Sequence, residues 1–65
     1  MNAKSVKMAT EKQINIDANE IAALIKQGKE AEALDLFKQK IKPLNHWEAI
    51  ALRVEVWKRV EGVEG

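Results

Sequence analysis

Large apolar residues recur along this chain at the spacing of helices, not at the alternation of strands. Ile21, Leu24 and Ile25 follow the i, i+3, i+4 rule. Ala33, Leu34, Phe37 and Ile41 share one side of the charged run that begins at Glu30. Trp47, Ile50, Ala51, Val54 and Trp57 do the same in the last third of the chain. The pattern predicts an all-α fold, a small three-helix bundle over residues 14–61. A flexible basic N-terminal arm, residues 1–13, precedes it and a frayed tail, residues 62–65, follows.

Boundary residues sharpen the three elements. Asp17, with Glu20 three positions on, has the form of a capping box, and Ile16 and Ile21 stand where a hydrophobic staple would be. The first helix is therefore expected to start at Asp17 and to end at Gly28, a residue suited to the left-handed C-terminal position. The second should run from Glu30 to about Ile41. Lys38, Lys40 and Lys42 complement the negative end of its dipole and Pro43 blocks its continuation. The short connection then predicts that helices two and three pack as close neighbours. Asn45 and Glu48 repeat the cap-and-reach-back arrangement, so the third helix should span about His46 to Val60.

That third helix is apolar on two sides. Trp47, Ile50, Ala51, Val54 and Trp57 fall in one sector and are read as its packing face, with both Trp side chains as core fillers. Ala49, Leu52, Val56 and Val60 fall in a second sector nearly opposite. A Leu and two Val left in water would each forfeit roughly 1.5–3 kcal/mol, so the second sector also needs a cover. Ala49, Leu52, Val56 and Val60 are accordingly the candidate partner-binding residues. The other reading is that this helix sits in the middle, with helices one and two on opposite sides of it or the N-terminal arm folded over it.

Composition narrows the function. At 65 residues the chain buries only about 60% of its unfolded surface, so it gains from disulfides, a metal or self-association. It has no Cys and one His, His46, which leaves self-association. A hydrophobic content of 46% with 32% charged residues is that of a folded chain, and a net charge of +1 gives no global attraction to nucleic acid or acidic membrane. No apolar run approaches the length of a membrane span or a signal-peptide core, and a cytoplasmic location is expected. Glu30 and Glu32 diverge by about 200° on a helix and cannot share an acid–base or metal site. Gly28-Lys29 lacks the rest of a phosphate loop. No catalytic residue, cofactor site or metal site is expected.

Three resemblances bear on the class of function. The stretch Glu20 to Leu34, continuing through Phe37, Ile41 and Leu44 to Glu48-Ala49, resembles the helical-hairpin segment of the C-terminal domain of the bacterial ribosomal stalk protein and related small proteins, over about half the chain. In that family the second helix opens with a Gly-Leu pair and carries lysines that contact translation factors. Trp47 and Ile50 stand at those lysine places, so the resemblance implies a hairpin and no factor-binding residue. Gly28, Ala33 and Phe37, followed by a proline, are also similar to half of a tetratricopeptide repeat. Both resemblances imply a protein-binding helical module. Lys12-Gln13-Ile14-Asn15-Ile16 alternates like a strand leading into two helices and resembles the ribbon-helix-helix DNA-binding dimers. In that alternative Lys12, Gln13 and Asn15 would contact nucleic acid, the amides pairing with adenine edges.

The expected function is thus a non-enzymatic helical adaptor or regulator, acting through the apolar face of its third helix on another protein or on its own copy as a homodimer. A ribbon-helix-helix-like DNA regulator is the alternative.

Overall fold

A computed structural model describes residues 8–62, with side chains from Thr10 onward. The fold is all-α: α1 spans Met8–Lys26, α2 Glu30–Ile41 and α3 His46–Glu61. Residues 1–7 of the expected arm and 63–65 of the expected tail lie outside the described residues. No helix among the described residues is long and apolar enough to cross a membrane.

α1 starts nine residues earlier than the capping motif suggested. Residues 8–13 contain neither Gly nor Pro, Glu11 places an acid in the first turn, and Ile14 continues the buried face that Ala18, Ile21, Ala22 and Ile25 form. Two turns of helix therefore replace half of the expected arm. Asp17 is no cap. It sits mid-helix, 5% exposed, while Ile16 points outward at 53%, so the staple is not made. The strand of the DNA-binding alternative is overturned by the same finding, because Lys12, Gln13 and Asn15 are all helical.

The helix ends follow local chemistry closely. Gly28 adopts φ 82°, in the left-handed region where a Cβ is costly. Around it the Lys29 amide donates to the Leu24 carbonyl at 2.8 Å and the Gly28 amide to Ile25 at 3.0 Å, the paired bonds of a Schellman ending. At the start of α3 the capping box is complete: the Glu48 amide donates to Asn45 Oδ1 at 2.8 Å and the Asn45 amide to Glu48 Oε1 at 2.9 Å. Gly62, with φ 76°, closes α3 and its amide donates to the Lys58 carbonyl.

α1 is the central element. α3 packs along it extensively and α2 packs on it over a shorter length, whereas α2 and α3 touch each other sparsely. The expectation that helices two and three are close neighbours is corrected here. A short link keeps their adjoining ends near, but both bury their apolar faces against α1, which is longer than either. Because α2 and α3 share little surface, few side chains are enclosed on every side. The core comprises Ile14, Ala18 and Ile21 of α1, Ala33 of α2, and Leu52 and Val56 of α3, with Leu24, Phe37, Ile41, Leu44 and Val60 partly buried around it.

Candidate interaction surface

α3 buries the face opposite to the one its aromatic residues suggested. Leu52 is fully buried and Val56 is 4% exposed, with Val60 packed against the same cluster and Ala49 half-buried. Ala49, Leu52, Val56 and Val60 are therefore covered by the chain's own α1 and α2 and are not a free partner-binding surface. Trp47 is 59% exposed, Ile50 39%, Val54 47% and Trp57 48%. The cause lies on α1. It contributes small residues to the buried surface, Ala18 fully buried and Ala22 at 3% exposure, and small residues allow a neighbouring helix to pack closely. A Leu and a Val suit such close packing better than two indole rings.

Polar ties hold α3 in this rotation. Arg59 donates from Nε to Asn19 Oδ1 at 2.6 Å and from its terminal nitrogens to Asn15 Oδ1 at 3.2 Å and Glu55 Oε1 at 2.8 Å. One planar guanidinium so joins two positions of α1 to its own helix. Asn15, placed by the DNA-binding alternative in a groove, is engaged in this tie. Gln13 donates to Asp17 at 3.0 Å within α1, and Lys12 is exposed.

The hydrogen bond from Arg59 is the main reason the Glu55 carboxyl is held below the usual carboxylate range; Lys58, 3.6 Å away, adds to it, and partial burial opposes both. A carboxyl with a depressed folded pKa contributes stability above its unfolded pKa and loses it as pH falls through the folded value. Arg59→Met is therefore expected to lower the urea midpoint at pH 7. The gap between wild type and variant should narrow as the pH falls below the carboxylate range. A gap that stays constant down to pH 3 would show that Arg59 acts through packing and its bonds to Asn15 and Asn19, and not through the Glu55 carboxylate.

Because α2 and α3 diverge, a groove of about 390 Å³ opens between them. Ile21 and Ile25 of α1 lie at its floor, Leu34 and Phe37 line the α2 side, and Val56 and Trp57 the α3 side; Glu30 and Arg53 are its charged residues. Leu34, expected on the core face of its helix, is 53% exposed here. Trp57 belongs both to the groove and to the outer face of α3, so the two form one continuous apolar surface. At the far end of that face the His46 and Trp47 rings meet edge to face, 5.2 Å between centroids.

Among the described residues no group of three or more acids or histidines converges as a metal site would require. The candidate surface expected from the sequence lies on the side of α3 that the structure buries; the exposed apolar side is the opposite one. One signal was available: Trp47, Ile50, Val54 and Trp57 keep the three-four-three spacing of a seam between helices. Compared with protein-family models, with curated proteins and with solved structures, the chain matches none.

Proposed function

We propose that this protein is a non-enzymatic helical interaction module, an adaptor or regulator, whose working surface is the outer face of α3 together with the adjoining groove. The observation that carries this reading is the exposure of Trp47, Ile50, Val54 and Trp57 on one side of a helix whose other side is already packed. Isolated exposed apolar residues are ordinary on any protein, but a contiguous patch with two Trp side chains matches the composition of binding hot spots. The groove extends the patch onto Leu34 and Phe37 and gives it the concave shape that suits an inserted side chain.

Val54 lies at the middle of the face and supports no buried contact that a charge would destroy. Val54→Glu should therefore leave helicity and the thermal midpoint close to those of the wild type while abolishing association. The check is a capture experiment with both proteins at equal loading, including untagged copies of the chain itself among the candidates. Proteins held by the wild type and released by Val54→Glu define the partner. If nothing is held through Val54, the proposed function fails.

A further inference from the structure

The outer face of α3 is nearly a palindrome. Its exposed large apolar residues are Trp47, Ile50, Val54 and Trp57, with spacings of three, four and three. Read from either end the order is an indole, a β-branched side chain, a second β-branched side chain and an indole, symmetric about the level of Leu52. These are the a and d positions of a helix-packing seam three turns long. We propose that its occupant is a second copy of this chain, joined antiparallel about a twofold axis that passes level with Leu52. This rests on the reading of the face as an interaction surface and names the partner.

In that arrangement Trp47 lies level with Trp57 of the partner subunit, and Ile50 with Val54 of the partner subunit, so each layer meets a side chain of its own kind. Isologous pairing of this sort needs a self-complementary patch, and the palindrome is one. Charge decides the direction. Arg53 and Lys58 flank the seam on opposite sides, at its g and e positions. A parallel pair would set Arg53 against Lys58 of the partner subunit, twice. The antiparallel pair brings together only the two Arg53 side chains beside the axis, and leaves Lys58 beside its own Glu55, 3.6 Å away. Opposed helix dipoles favour the same direction.

Size agrees with a weak and reversible dimer. The four side chains leave on the order of 400 Å² exposed per copy, given the area such residues occupy. Paired, they supply about 800 Å², and the rim formed by Ala51, Arg53 and Lys58 brings the total toward the ~1,200 Å² at the lower end of specific interfaces. In the dimer Trp47 of the partner subunit stands at the level of Trp57, beside the open groove between α2 and α3. A chain of this length, without cysteine, gains the cover it lacks as a monomer.

Solution mass across a concentration series is the first test. The mass should rise from 7.3 kDa toward twice that value between low-micromolar and near-millimolar protein, and Val54→Glu should stay at 7.3 kDa with unchanged helicity. Because the two Arg53 side chains meet beside the axis, added salt should screen their repulsion and tighten the dimer. Orientation is read by cross-linking, since every cysteine introduced is then the only one in its chain. Ile50→Cys mixed with Val54→Cys should form the mixed disulfide under mild oxidation. Either alone should form little, its two sulfurs being offset by about 6 Å along the axis. Cross-linking of Ile50→Cys alone overturns the antiparallel order, and a dimer that survives Val54→Glu overturns the face. A monomer at all concentrations overturns the proposal. If such a monomer captures another protein through Val54, or binds anionic phosphatidylserine vesicles more weakly as salt rises, the face has a different occupant. Capture of another protein leaves the interaction-module reading standing, and no Val54-dependent binding at all removes both.

Discussion

Leu52→Ala is expected to leave the domain largely unfolded at 37 °C, while Val54→Ala, two residues away on the same helix, changes its stability little. Leu52 is fully buried in the core cluster that also holds Ile14, Ala18, Ile21, Ala33 and Val56, and truncating such a Leu typically costs about 2–5 kcal/mol in lost transfer energy and residual cavity. Small domains of this size rarely hold more than about 3–5 kcal/mol in total, so the loss is of the order of everything available. Val54 is already 47% exposed and leaves no cavity when shortened. Urea melts followed by circular dichroism separate the two variants directly. A larger loss at Val54 than at Leu52 would mean that α3 is rotated by half a turn from the orientation described.

The second large effect concerns Asp17, the only charged group buried in the core among the described residues. Asp17 is 5% exposed, accepts a hydrogen bond from Gln13 at 3.0 Å and meets the Lys40 ammonium of α2 at 3.4 Å. Lys40 approaches from the rim with about a third of its side chain in water, so the pair is only half desolvated. Lys40→Met should destabilise the fold by about 1–3 kcal/mol, because it strands a carboxylate in an apolar wall with one neutral donor. Asp17→Leu combined with Lys40→Met should recover most of that loss, since replacing a buried pair by apolar groups of similar volume is often neutral or better. Thermal melts of the three variants close the cycle. A double variant no better than Lys40→Met would show that the pair also sets how α2 lies on α1, the one specificity role a buried ion pair can have beyond its energy.

These two sites mark where sequence reasoning succeeded and where it was misled. The end of α1 and the start of α3 were legible because caps are local: Gly28 turns the chain through its own backbone, and Asn45 and Glu48 satisfy each other across three residues. Asp17 followed by Glu20 has the same form as that box, yet at Asp17 the helix does not begin. Whether a residue caps depends on whether the preceding segment is helical, and residues 8–13 become so because Ile14 extends the buried face across α1.

The exposed apolar face of α3 was half legible. Periodicity gives the two apolar sectors of α3, because each residue advances by 100° whatever surrounds it. It does not rank them. A hydrophobicity argument favours burying Trp47, Ile50 and Trp57, which have more apolar area than Ala49, Leu52 and Val56. Packing reversed the order: the core side of α1 carries small residues such as Ala18, which favour a close approach that a Leu and a Val fill better than an indole.

The sequence by itself determined three amphipathic helices, most of their ends, and the existence of more apolar surface than so short a chain can cover. Those properties follow from neighbours within about four residues and from composition, so they need no knowledge of the fold. Only the tertiary structure decided which face of α3 turns inward, that α1 and not α3 lies in the middle, and that Asp17 is paired with Lys40 across the core. Each of these depends on the shape of a surface built from residues distant in the chain, where small side chains on one helix set the distance at which the next can pack.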